Sequence, residues 1–152
     1  MAHVKQYGIH ELCLHARAKK PFDTPLKAHF TAPDGTKITV WGFYDGDDRF
    51  LIRFMPEQEG IYTYETVSPL PVLHGVIGSF QCTSADGHGK VMPDGLYLKH
   101  ADGTRHYSVG TTCYAWIYQP DSVRKDTLSE LKKGYFNKIR MCVFPKWYLY
   151  NE

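Results

Sequence analysis

A chain of 152 residues has room for one ordinary domain, or for a small domain with part of a second, and excludes two complete catalytic domains. Hydrophobic residues at 43% and charged residues at 22% are enough for a packed core and give no compositional sign of disorder. The net charge of +2, from 18 basic and 16 acidic residues scattered along the chain, offers no concentrated field for a polyanion, so nucleic acid is not an expected partner.

The aromatic fraction is 14%, with eleven tyrosines, and such rings favour strands. The densest basic stretch, Arg17 to Lys20, reads as a solvated strand end. No apolar run follows Met1-Ala2-His3 as a secretory signal would require, and no window approaches the roughly 20 apolar residues of a membrane span, so the cytoplasm is the expected location and no membrane partner is expected. Cys13, Cys82, Cys113 and Cys142 lack the close spacing of metal or redox pairs and are expected to be buried thiols. No cofactor and no metal site are expected.

From Glu11 to Ala18 apolar and polar residues alternate, the period of a strand with one face inward, until Pro21 and Pro25 end it. Leu26 to Thr31 leads into the turn Ala32-Pro33-Asp34-Gly35, and Lys37 to Phe43 resumes the alternation, which predicts a hairpin. The turn around Asp45-Gly46 then sends the chain back through Arg49 to Phe54. Ile61 to Val67 and Ile77 to Thr83 follow as strands on either side of Pro69 and Pro71, which cannot donate to a ladder. Short strands at this spacing over residues 1–100 predict a mainly β fold, an antiparallel sandwich of immunoglobulin-like architecture.

After Pro93 the pattern changes. Leu96 to His100 and Arg105 to Val109 read as strands around the turn Ala101 to Thr104. Thr127, with Glu130 three residues on, predicts a capped helix that presents Leu128 and Leu131 and ends at Lys132, Lys133 and Gly134. Phe136 to Phe144 is apolar on both faces, as in a doubly covered strand. Strand, helix and strand over residues 101–152 predict a right-handed parallel unit, and one helix cannot cover both faces of a sheet, so the expectation is a truncated β-α-β fragment of a TIM barrel.

The segments Val40 to Gly46, Arg53-Phe54-Met55-Pro56 and Gly60 to Tyr64 resemble the N-terminal β-sandwich found ahead of certain glycoside hydrolase barrels. Gly78-Ser79-Phe80, His88-Gly89-Lys90, Gly110 to Trp116 and Phe136 to Lys146 resemble the later segments and the opening of an apiosidase-like (β/α)8 barrel. The resemblance covers essentially the whole chain. It implies an enzyme that cleaves glycosidic bonds with two carboxylates on a barrel of about 250 residues, of which only the beginning is present here. Trp147 and Leu149 depart from the smaller polar ring and the acidic side chain that the resemblance leads one to expect.

Barrel sites form at the C-terminal ends of the strands, which places Thr111, Thr112, Tyr114, Trp116, Lys146 and Trp147 as a candidate saccharide-lining set. Trp116 and Tyr114 serve equally well as filling for the seam between sandwich and barrel. No convincing carboxylate pair is legible: Asp45, Asp47 and Asp48 are explained by a hairpin tip, with calcium a minor alternative. His88, between two glycines, reads as a loop histidine bonded to backbone rather than a general base, since no nucleophile motif accompanies it.

Three functions compete. The first is an accessory segment that buttresses a glycoside hydrolase barrel, contributes to its carbohydrate cleft and is not catalytic alone. The second is a carbohydrate-binding module using Trp41, Tyr44, Tyr62 and Tyr64, disfavoured if Trp41 and Phe43 point inward, as expected here. The third is a structural domain that self-associates, as a homo-oligomer, through the apolar faces of the orphan strand and helix.

Overall fold

The structure, a computed structural model, describes residues 1–143. It is mainly β and divides into two compact units, Met1–Thr104 and Arg105–Glu152. The first contains β1 (Ala2–Lys5), β2 (His10–His15), β3 (Lys27–Thr31), β4 (Lys37–Trp41), β5 (Phe43–Tyr44), β6 (Arg49–Phe54), β7 (Gly60–Val67), β8 (Ile77–Thr83), β9 (Val91–Asp94) and β10 (Tyr97–His100). The second contains β11 (Arg105–His106), β12 (Gly110–Thr112), α1 (Asp121–Lys132) and β13 (Lys138–Arg140).

Within the first unit, a five-stranded sheet runs β1-β8-β7-β3-β4 and a three-stranded sheet runs β2-β6-β5. Inward residues recur every second position: Ala28 and Phe30 on β3, Tyr62 and Thr66 on β7, and Phe80 and Cys82 on β8 are fully or almost fully buried. Leu12 on β2 and Phe50, Ile52 and Phe54 on β6 join the same core from the other sheet. Aromatic rings knit the two layers. Phe54 stacks on Phe30 at 4.2 Å and meets Phe80 at 6.2 Å, while Tyr62 lies parallel to Phe80 at 5.1 Å. Each buried ring contributes about 1.5–3 kcal/mol through removed apolar surface, and each ring pair about 0.5–1.5 kcal/mol more.

Four expectations need correction here. The larger sheet is mixed rather than purely antiparallel, because β1, too short to show alternation, pairs parallel to β8 with Ala2 opposite Phe80. The strand predicted over Glu11 to Ala18 closes at His15, although Ala16 still packs into the core. Trp41 and Phe43 point outward, 65% and 41% exposed, because the alternation gives the inward positions to Ile38, Val40 and Tyr44, with Gly42 among them where the chain leaves the five-stranded sheet for the three-stranded one. A side chain at Gly42 has no room: a Cβ there would lie 2.8 Å from the Leu51 carbonyl oxygen and 2.9 Å from Leu26 and Ile52. Finally, Cys13 is exposed, whereas Cys82 is buried and its thiol pKa is pushed up by that burial.

The connection from β7 to β8 carries Pro71–Leu73 as a single helical turn, and Thr66 fastens it. The Thr66 hydroxyl donates to the Leu73 carbonyl at 2.7 Å and accepts from the Val76 amide at 3.0 Å. Thr66 is fully buried, so both bonds are shielded from water.

In the second unit, β12 and β13 pair in parallel, Thr111 opposite Ile139, with α1 between them in sequence. The parallel strand begins at Gly110, later than the Arg105 to Val109 stretch predicted for it. The Asn137 side chain explains the displacement: its Oδ1 accepts from the Val109 amide at 2.9 Å and its Nδ2 donates to the Tyr107 carbonyl at 2.7 Å, which takes those backbone groups out of a ladder. The helix starts at Asp121, directly after Pro120, and not at Thr127. Thr127 sits inside it, its hydroxyl returned to the Val123 carbonyl at 2.7 Å, as hydroxyls in helix interiors do. β13 is shorter than the predicted Phe136 to Phe144, and Phe144 lies outside the described residues. Double covering of that strand is not observed. Ile139 is half-buried, α1 has no buried residue, and among the described residues of this unit only Ala115 is buried.

Candidate functional site

The candidate residues of the second unit fall along the C-terminal end of β12. Thr111 and Thr112 belong to the strand itself, the first half-buried and the second exposed. The parallel ladder continues past it, with the Cys113 amide donating to the Arg140 carbonyl at 2.9 Å and the Cys142 amide to the Tyr114 carbonyl at 2.8 Å. That continuation holds Tyr114, 49% exposed, at the strand end where a parallel sheet presents its ligand loops. Trp116 opens a one-turn helix, Trp116–Tyr118, and its indole Nε1 donates to the Arg124 carbonyl at 3.2 Å. It thereby ties the loop to α1. Thr111, Thr112, Tyr114 and Trp116 thus occupy one continuous stretch, while Lys146 and Trp147 lie outside the described residues.

This stretch can offer hydroxyl and ring contacts to a ligand, but the acids near it are differently engaged. Asp121 pairs with Arg124 one turn along α1, and Glu130 pairs with Lys133 at 2.5 Å. Neither stands at the end of a strand. The Asn137 clamp was not legible beforehand, because a lone Asn in a loop carries no spacing signal.

In the first unit, the acids of the β5–β6 turn serve the turn and its flanks. Asp45 pairs with Arg49 and Asp48 with Arg17, each at 3.2 Å. Gly46, Asp47 and Asp48 all take positive φ, which Asp tolerates better than most residues. His88 is bonded otherwise than expected: its Nδ1 meets Asp102 Oδ2 at 2.7 Å rather than a backbone group. That bond, with the Thr104 amide donating to Oδ1 at 2.9 Å, lowers the Asp102 pKa to about 2. The pair sits beside a cavity of about 490 Å3 shared with Gln6, Tyr7 and Asp86. Two further ion pairs hold the same loop, Lys5 to Asp86 at 3.4 Å and Lys90 to Glu57 at 2.6 Å.

One buried titratable group was missed. His10, at the start of β2, stacks on Phe80 at 4.0 Å, and its Nε2 has no hydrogen-bond partner among the described residues. Burial lowers its pKa below the usual 6.5. Polarity at a strand start reads as a surface position, which is why sequence pattern hides it.

Of the aromatic residues considered for a glycan platform, Tyr62 is fully buried, and Tyr44 and Tyr64 are half-buried against the core. Tyr62 keeps its hydroxyl satisfied by the Gln58 amide at 3.0 Å. Trp41 alone of that set faces outward.

Residues 3–69 match a family described as a domain of unknown function, DUF5060. Among solved structures, a protein from Bacteroides vulgatus ATCC 8482 described as "a putative glycoside hydrolase" aligns with 97% of this chain at 41% sequence identity and a TM-score of 0.89. This chain spans 30% of that protein's length. The Lin-41 filamin domain aligns with 53% of this chain and 82% of its own length, at 13% identity and a TM-score of 0.42. No curated protein matches. No helix among the described residues is long and apolar enough to cross a membrane.

Proposed function

We propose that this chain is the N-terminal accessory segment of a glycoside hydrolase: an immunoglobulin-like sandwich at 1–100 followed by the first β-α-β unit of a (β/α)8 barrel, not catalytic by itself. One observation carries the reading. The structure described as "a putative glycoside hydrolase" aligns with almost the whole chain at 41% identity, and the chain corresponds to only 30% of it. The parallel β12–α1–β13 unit supports the barrel part, since consecutive parallel strands joined through a helix are its repeating element.

The exposed apolar residues of the second unit have a role on this reading. Val123 and Leu128 on α1, with Phe136 and Val143, offer a surface on which further barrel elements would pack. Thr112, Tyr114 and Trp116 would then line the rim of the barrel mouth, where its saccharide is bound. The same surface makes self-association the expected behaviour of the chain in isolation.

A panel of nitrophenyl glycosides tests the assignment. The chain should release no nitrophenol above buffer, and steady turnover by the purified chain would overturn the accessory role. Light scattering over a concentration series should show an average mass rising above that of one chain, whereas a clean monomer at high concentration would argue against the open packing surface.

A further inference from the structure

Three aromatic side chains of the first unit are held out toward solvent around one cleft, and the two sheets do not need them there. Phe22 stands on the one-turn helix Pro21–Asp23 and is 84% exposed; Trp41 and Phe43 flank the Gly42 crossing. With Asp23, Thr24 and the half-buried Tyr44 they line a cavity of about 330 Å3, a volume at the small end for a ligand pocket. Each ring is held in place. Phe22 meets Tyr44 edge-on at 5.1 Å, the Lys27 ammonium lies 5.8 Å from the Trp41 ring centre, and Arg53 lies 5.2 Å from that of Phe43.

The cations near these rings differ in whether they are paired. Arg53 is neutralised by Glu11 at 2.6 Å and Arg17 by Asp48. Lys19, Lys20 and Lys27 have no carboxylate partner among the described residues. Lys19 and Lys20 precede the Phe22 turn in sequence, and Lys27 lies over Trp41, the one unpaired cation set against a ring of the cleft, whose own charged lining residue is Asp23. Rigid ring faces suit the C–H faces of pyranoses, and ammonium groups beside them suit carboxylates.

We propose that the Phe22–Trp41–Phe43 cleft binds an acidic glycan, one uronate-bearing sugar stacked on Trp41 with its carboxylate on Lys27. A nucleic acid strand fits less well. Affinity for such a strand grows with the number of phosphates neutralised along a track, and here one unpaired cation, Lys27, stands against a ring of the cleft. The cleft belongs wholly to the first unit, so its occupancy is measurable whether the hydrolase reading stands or falls.

Nuclear magnetic resonance titration of the labelled chain with a tetrasaccharide of galacturonic acid tests this. Shifts should appear in the Trp41 indole and the amides of residues 20–27 and 41–44, and they should diminish with added salt. Trp41→Ala should weaken binding about tenfold or more, the scale of one lost ring contact plus its buried area. Lys27→Gln should weaken the acidic ligand severalfold and leave a neutral galactose tetrasaccharide unaffected. Because these side chains are exposed, both variants should melt with the parent; if Trp41→Ala does not, Phe22→Ala replaces it as the ring test. The proposal is overturned if the shifts are absent or map elsewhere, if the neutral sugar binds as tightly as the acidic one, or if a thymidine tetranucleotide does.

Discussion

Replacing Thr66 with Val tests how the first unit closes its β7–β8 connection. Val has nearly the shape of Thr, so the substitution leaves packing in place and deletes one hydroxyl. That hydroxyl bonds both the Leu73 carbonyl, at 2.7 Å, and the Val76 amide, at 3.0 Å, from a fully buried position. Two backbone groups lose a partner together. An unsatisfied buried group costs about 1–3 kcal/mol, and the Val76 amide, half-buried, recovers part of its loss from water, so about 2–4 kcal/mol is expected in total. For a domain of this size each kcal/mol moves the melting point by about 4–8 °C, which places the variant at least about 8 °C below the parent. Thermal and urea unfolding followed by circular dichroism measure this, with Thr66→Ser as the control that keeps the hydroxyl and loses a methyl. Amide exchange at Val76 should accelerate in Thr66→Val and not in Thr66→Ser. If Thr66→Val melts with the parent while Thr66→Ser is the weaker variant, the methyl group matters and the hydrogen-bond reasoning is refuted.

Gly42→Ala should destabilise the first unit by about 1–3 kcal/mol through overpacking against Leu51, Leu26 and Ile52, read from the urea midpoint. His10 gives an acid-side dependence. Its pKa is depressed in the fold, so its stability contribution is whole above the unfolded value near 6.5 and is lost as pH falls through the lower folded value; stability measured from pH 7.5 to 4.5 should show a component that His10→Phe removes. Asp102 titrates at about 2, below its ordinary 3.8, so its carboxyl carbon resonance should move only in strong acid; Asp102→Asn should release His88 and raise amide exchange over residues 85–90 without shifting the global melting point. Asn137→Ala should raise exchange at Val109 and leave the unfolding of the first unit unchanged.

Much of the first unit was legible because its turns are chemically explicit. Arg49–Phe54 and Ile77–Thr83 fall where the Asp-Gly turn and the prolines place them. β1 was not legible, since its existence rests on a parallel partner far along the chain. The direction of Trp41 and Phe43 was misread because the bulkier rings were given the inward face, whereas the unbroken alternation gives it to Ile38, Val40 and Tyr44. In the second unit, local capping chemistry at Thr127 outweighed the plainer signal of Pro120 followed by Asp121. Of the candidate set, Thr111 and Thr112 were expected in the loop after a strand at Arg105 to Val109, and they lie in β12 itself, because the parallel strand begins later than its pattern suggested. The Asn137 clamp and the buried His10 depend on contacts that no local rule encodes.

The parallel placement of β1 also carries a temporal consequence. Its ladder sets Ala2 against Phe80 and Lys5 against Thr83, so β1 is synthesised well before the strand it pairs with and is among the last strands of this unit to find its partner. Until β8 has emerged, that peptide must wait unpaired, and β8 then offers a bare edge until it arrives. Bulk attached directly ahead of β1 would therefore burden the closing step of assembly more than the finished molecule.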